Sequence, residues 1–319
     1  MYKLSPKENA ILALNLKQPE YVPTMELEFQ LTEELFGERY YSSQDMERGL
    51  SKDEIIDHNA QLLAKVVEYF DYAIVMLCYG VPYFSDEPYE NTLIKMMKKT
   101  KEYLNKERLF IAHGDATYAI PDGNSMLEFV YKMFDNPQEL KENAKKMVIR
   151  EIERDKHLMD AGLDGFALCS DYAFNKGSFM SPEQFAEFVT PYLYELIQAQ
   201  REMGAYVIKH TDGDIMPIID QIIDCKPHAL HSLDPQGGVD IAYIKQKYGD
   251  KVCLIGNVNC ALLQTGTKQE MIDSAAYAIK NGKPNGGYIF STSNVVFKGM
   301  PLENYLLIHQ YYLKNRDYL

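Results

Sequence analysis

An alternation constrains this chain more than any other feature. Eight short runs rich in β-branched and aromatic residues recur along it, and each leaves room for a helix before the next. They are Val22–Glu28, Tyr72–Cys78, Leu109–His113, Gly165–Ser170, Tyr206–His210, Ala229–Leu233, Val252–Val258 and Gly287–Ser291. Helix starts are marked by capping boxes at Ser5…Glu8, Ser51…Glu54, Ser181…Gln184 and Thr267…Glu270, with Asn136…Glu139 as a variant. Strands alternating with helices imply a parallel sheet, and eight such units imply that it closes on itself. The expected fold is therefore α/β: a single (β/α)8 TIM barrel, residues 1–319 forming one domain with a helix over Pro6–Leu16 as an N-terminal extension. A doubly wound open sheet competes, but no GxGxxG or GxxxxGK follows any strand.

Polar residues crowd one end of these strands. The fifth run ends His210-Thr-Asp212-Gly213, so His210 and Asp212 point to the same side of an extended chain. Gly213 allows a turn, and Asp214 is placed to cap a helix over Ile215–Ile223. The first run ends in Glu26 and Glu28, the third in His113-Gly-Asp115, and the fourth in Cys169-Ser-Asp171. The sixth leads into His231-Ser-Leu-Asp234, the seventh into Asn257-Val-Asn259, and the eighth into Ser291-Thr-Ser293-Asn294. A purely structural barrel has no need of that asymmetry, and in such barrels chemistry sits at the strands' C-terminal ends. His113, Asp171, His210 and Asn257 are expected to converge at one mouth.

Each residue also has a plainer role open to it. His113 and His231 can be hydrogen-bonded rim residues, and Asn257 can bond loop backbone. Tyr79, Tyr83 and Phe84, like Tyr172 and Phe174, can be core packing or the walls of a pocket for a flat ligand.

With a net charge of -13 and no basic cluster, the chain is not expected to bind nucleic acid or an anionic membrane. The longest apolar run, Tyr72–Val81, is too short to span a bilayer. Five scattered cysteines without a CxxC pair, and a start without a signal peptide, fit reduced thiols in a cytoplasmic protein.

The stretch Ile208-Lys-His-Thr-Asp-Gly213 resembles the uroporphyrinogen decarboxylase superfamily. So do Leu254-Ile-Gly-Asn257, Leu262-Leu-Gln-Thr-Gly-Thr267, Gly286-Gly-Tyr288, Pro301-Leu-Glu-Asn-Tyr305, Lys7-Glu-Asn-Ala10 and Tyr21-Val-Pro23. The resemblance implies a (β/α)8 barrel. It also implies one of two activities: true decarboxylation, or methyl transfer to a corrinoid carried on another protein. True decarboxylases of that superfamily carry an Arg-Gln-Ala-Gly-Arg motif after the first strand and an aspartate near the end of the second. Here Glu28-Phe-Gln-Leu-Thr32 and Cys78 stand at those places. The zinc methyltransferases show His-x-Cys with a distant Cys, whereas this chain has His210-x-Asp212 and Ser293-Asn294.

These departures imply a corrinoid-dependent methyltransferase acting on a small methyl donor that is not a thiol, such as a methoxylated aromatic. The catalytic candidates are His210, Asp212, Asp171 and Glu28, supplying an acid whose pKa the carboxylate-rich pocket raises. Glu26, Tyr79, Tyr83, Phe84, His113, Tyr172, Phe174, His231, Asn257 and Asn294 are the substrate-binding candidates. A divalent metal such as Zn, if bound, would take His210 with Asp212, Glu26 or Glu28. Replacing His210 or Asp212 is expected to disturb folding little. The expected partners are the donor and a corrinoid protein carrying the cobalamin, and the sequence leaves a homodimer open. A decarboxylase of another small carboxylated molecule, and a non-catalytic barrel that binds a ligand or a corrinoid protein, remain as alternatives.

Overall fold

The alternation read from the sequence is realised in a computed structural model, which describes residues 2–318. The barrel strands are β1 (Ile74–Leu77), β2 (Leu109–His113) and β3 (Gly165–Leu168), followed after a small antiparallel hairpin, β4 (Ala173–Phe174) and β5 (Gly177–Ser178), by β6 (Tyr206–His210), β7 (Ala229–Ser232), β8 (Cys253–Val258) and β9 (Tyr288–Thr292). Seven of them pair in parallel in the order β1-β2-β3-β6-β7-β8-β9, with helices between.

The expected first strand, Val22–Glu28, is not a regular strand. Pro23 has no N–H to give a ladder. The segment still bridges the two ends of the sheet. Ala73 N–H donates to Thr24 O (2.8 Å) on one side, and Phe290 N–H donates to Pro23 O (2.8 Å) on the other. It is the irregular eighth stave that closes the barrel.

Alternation along each strand sorts the core in two. Ile74, Met76, Ile111, Ala167, Ile208, Ala229, Ile255 and Ile289 fill the barrel interior. Val75, Leu77, Phe110, Phe166, Leu168, Val207, Leu230 and Leu254 face the helices. On β6 this parity turns His210 inward, above Ile208, and Lys209 outward. The register places His210 beside His231 of β7.

All four capping boxes close reciprocally. Asn136 makes no side-chain cap, and a further box at Ser42…Asp45 opens a 3-10 helix. The N-terminal helix runs Pro6–Leu14, and the helix expected over Ile215–Ile223 begins only at Ile219. Pro217 lacks an N–H and disfavours helical geometry at the residue before it; Asp214 caps a turn instead, accepting from Met216 N–H (3.1 Å).

Gly213 is required twice. Its φ is +81°, and a Cβ there would lie 2.5 Å from Ala173 O of the hairpin. Gly213→Ala should therefore cost roughly 1–3 kcal/mol in urea unfolding.

Lys209 is fully buried against the outer side of the sheet. Its ammonium donates to Asp115 Oδ2 (2.9 Å), Leu168 O (3.1 Å) and Ser170 O (2.9 Å) and lies 4.1 Å from the Tyr172 ring centroid. Lys209→Met should lose about 3–5 kcal/mol, because Asp115 is left buried without its cation. Adding Asp115→Asn should recover part of that loss in the same unfolding assay.

Candidate active site at the C-terminal ends of the strands

Three side chains meet beyond β3 and β6. His210 Nε2 lies 3.8 Å from Asp212 Oδ1 and 4.0 Å from Asp171 Oδ1. One ligand atom from each of Asp171, His210 and Asp212 can be chosen so that all three lie within 4.8 Å of one another. The carboxylates are held in place. Asp212 N–H donates to Asp171 Oδ1 (2.9 Å), Ser232 Oγ donates to Asp212 Oδ1 (2.6 Å), and Asn294 Nδ2 donates to Asp212 Oδ2. Ser232 and Leu233 both have positive φ, +83° and +49°. This uncommon backbone at the end of β7 carries the Ser232 hydroxyl that holds Asp212. Asp234 accepts from Gly213 N–H (3.1 Å) and holds the turn beneath.

Burial sets the charges here. It pushes the Asp212 carboxyl up to about 7, assisted by the nearby charges of Asp171 and Asp234 and opposed by hydrogen bonds from Ser232 and Asn294. It drives His210 the other way, down to about 3, with Lys209 and His113 adding to the effect. The expectation of a raised histidine pKa is thus reversed, because desolvation outweighs the surrounding carboxylates. His210 is therefore neutral at pH 7, whereas the Asp212 carboxyl titrates near neutrality.

The inner side of His210 is also engaged. Its Nδ1 lies 2.8 Å from His231 Nδ1, so one ring supplies the N–H and the other the lone pair. Removing His210 would leave that buried partner unpaired, at a cost of about 1–3 kcal/mol. The expected small effect on folding therefore does not hold for His210, which is only 6% exposed.

Several candidates are buried or engaged by other partners. Phe84 is buried in the outer core beneath Lys52. Tyr172 is buried over Lys209, with its hydroxyl on Thr117 (2.5 Å). His231 is fully buried behind His210, and Asn257 Nδ2 donates to Leu233 O (2.9 Å). Glu26 is buried and accepts from Thr292 Oγ1 (2.5 Å), Ser291 Oγ (3.1 Å) and Tyr305 OH (3.2 Å). Glu28 is half-buried and receives Gln30 Nε2 (2.6 Å). Neither glutamate belongs to the Asp171–His210–Asp212 cluster, so the metal expectation narrows to those three. Among the aromatic candidates Tyr79, Tyr83 and Phe174 are exposed, as is His113 at the end of β2.

A neutral imidazole nitrogen and two carboxylate oxygens suit a divalent ion such as zinc. Ser232 and Asn294 already supply the outer hydrogen bonds that orient a ligating carboxylate. Sequence reasoning missed Lys209 and Ser232. A lysine inside the apolar run Tyr206–His210 was the available signal for the first; nothing in Ser232's own neighbourhood pointed to the second.

Among the described residues no helix is long and apolar enough to cross a membrane. A methyltransferase from Methanosarcina mazei superposes over 98% of this chain and 99% of its own, with a TM-score of 0.76 at 16% identity, and so shares the fold. A curated uroporphyrinogen decarboxylase from Chlorobium phaeovibrioides is 26% identical over 163 residues, 48% of this chain; the match spans 42% of that relative's length. Residues 115–310, more than half of the chain, match the family model described as Uroporphyrinogen decarboxylase (URO-D). The chain belongs to the uroporphyrinogen decarboxylase family.

Proposed function

We propose that this protein is a corrinoid-dependent methyltransferase, moving the methyl group of a small methoxylated aromatic to the cob(I)alamin of a partner protein. The observation that carries the reading is an acidic mouth with no arginine to grip a polycarboxylate. Arg39 and Arg48 are tied to Asp45, Arg108 and Arg316 to Asp71, Arg154 to Glu90 and Glu151, and Arg201 to Lys226 O. Arg150 is on an exposed helix surface. A porphyrinogen bearing several carboxylates would meet Asp171 and Asp212 without a counter-ion.

The partner's Co(I) centre supplies the nucleophile, so this chain's task is the leaving oxygen. Asp212 holds a proton near neutrality and is positioned to give it to that oxygen, which would otherwise depart as phenolate. Asp171 and the neutral His210 fix the geometry around it. The same three residues would hold a divalent ion, which when bound would polarise the ether oxygen. The exposed rings of Tyr79, Tyr83 and Phe174 would flank the aromatic donor.

Formation of methylcobamide, followed by visible absorbance with donor and reduced corrinoid protein, tests the reading. Asp212→Asn and His210→Ala should each lower the rate by roughly 10²–10⁴. Because the acid form is required, the parent rate should fall as pH rises through about 7, and Asp212→Asn should flatten that limb. Release of CO2 from a carboxylated substrate without any corrinoid protein would instead identify a decarboxylase. Ligand binding without turnover would identify a binding barrel.

A further inference from the structure

The contacts behind His210 continue inward as an unbroken chain. His210 Nδ1 meets His231 Nδ1 at 2.8 Å, and His231 Nε2 meets Ser291 Oγ at 3.3 Å. Ser291 Oγ meets Glu26 Oε2 at 3.1 Å. Every link joins groups that can exchange donor and acceptor roles. We propose that Glu26, Ser291 and His231 form a buried proton wire that sets which nitrogen of His210 carries its proton, with Glu26 as the proton store.

The hydrogen-bond rules leave two self-consistent states. With Glu26 protonated, its O–H donates to Ser291 Oγ, Ser291 O–H to His231 Nε2, and His231 Nδ1–H to His210 Nδ1. His210 then presents Nε2–H to the mouth. With Glu26 ionised, every donor reverses: Ser291 O–H points to Glu26, His231 holds Nε2–H, His210 holds Nδ1–H, and a lone pair on His210 Nε2 faces Asp171 and Asp212. Passing from the first state to the second moves one proton along each link. Glu26 loses a proton, an acceptor at the mouth gains one, and neither ring changes charge.

The surroundings suit that division of labour. Burial holds His210 and His231 well below the usual histidine range, so neither can serve as an imidazolium acid. A neutral imidazole can give up Nε2–H without becoming an anion only if its Nδ1 is refilled, and the wire refills it. Glu26 is pushed up to about 7 by burial, against the hydrogen bonds from Thr292, Ser291 and Tyr305. The titratable groups around it are Tyr72 beside β1, Tyr288 on β9, Tyr305 on the Leu302–Asn315 helix, Cys260 on the Cys260–Thr265 helix and, through Ser291, His231. Among the described residues no lysine or arginine forms an ion pair with it. Glu26 contacts none of Asp171, His210 and Asp212. It does line a cavity of about 30 Å³ shared with Glu28, Tyr40, Tyr72 and Tyr79. That is room enough for water, and Tyr79 is partly exposed, which gives the store a route for reloading.

The consequence for catalysis rests on the methyl-transfer reading, but the tautomer does not, so the test uses the protein alone. Histidine labelled with nitrogen-15 is followed by two-bond proton–nitrogen correlation, with a chelator present and neither donor nor corrinoid protein added. The His210 signals are assigned by their loss in His210→Asn. In the parent, His210 Nε2 should shift from protonated to unprotonated as pH is raised from well below to well above about 7. In Glu26→Gln, which cannot ionise, and in Ser291→Ala, which cuts the wire, that shift should be lost. A His210 tautomer that stays constant with pH in the parent overturns the proposal. So does a switch that persists in either variant. Should the isosteric Glu26→Gln fail to fold, Ser291→Ala, lacking only a hydroxyl, decides the matter. Failure of methyl transfer with an intact tautomer switch would count against the function and leave the wire standing.

Discussion

The mouth of this barrel depends on one buried cation. Lys209 projects from the outer side of β6 and binds Asp115 beyond β2 together with the backbone of Leu168 and Ser170 at the end of β3. Three neighbouring strand ends are thereby held to one ammonium in a site that excludes water. The charge is compensated: Asp115 is held below the usual carboxylate range by Lys209 even though burial opposes it. Asp171 leaves β3 directly after Ser170, so the position of its carboxylate follows from that ion pair. The ammonium also acts through space on the ring attached to the next residue, helping to keep His210 neutral. One outward residue thus helps to position Asp171 and to keep His210 neutral.

The regular part of this arrangement was legible in the sequence for physical reasons. A reciprocal capping box is a local interaction over four residues, and all four that read S/T-x-x-E/Q at predicted helix starts closed as written. Strand parity is local too, so His210 and Asp212 could be assigned a common side. Asn136 failed as a cap, and Pro23 and Pro217 displaced the predicted strand and helix, because proline's missing N–H and its demand on the preceding residue compete with the hydrophobic pattern.

The non-local part was not legible. His231 was a candidate for touching substrate, yet the β6–β7 register puts it behind His210. Glu26 looked like a rim carboxylate because it ends an apolar run. The irregular eighth stave instead turns it toward Ser291, Thr292 and Tyr305, residues more than 260 positions away. Phe84 and Tyr172 differ from Tyr83 and Phe174 in burial alone, a property that neighbouring residues of the same type cannot reveal before the helices are packed.

The direction of the pKa shifts then decides what chemistry the cluster can perform. A carboxylate-rich surface suggests a protonated histidine, since opposite charges favour one another. Full burial reverses that outcome for His210 and His231, because neither retains the water that would solvate an imidazolium. The same desolvation raises both Asp212 and Glu26 to about 7, at opposite ends of the histidine pair. The groups that burial brings near neutrality are therefore carboxyl groups, and the imidazoles between them stay uncharged. In the proposed methyl transfer, the proton would come from a carboxyl group rather than from an imidazolium.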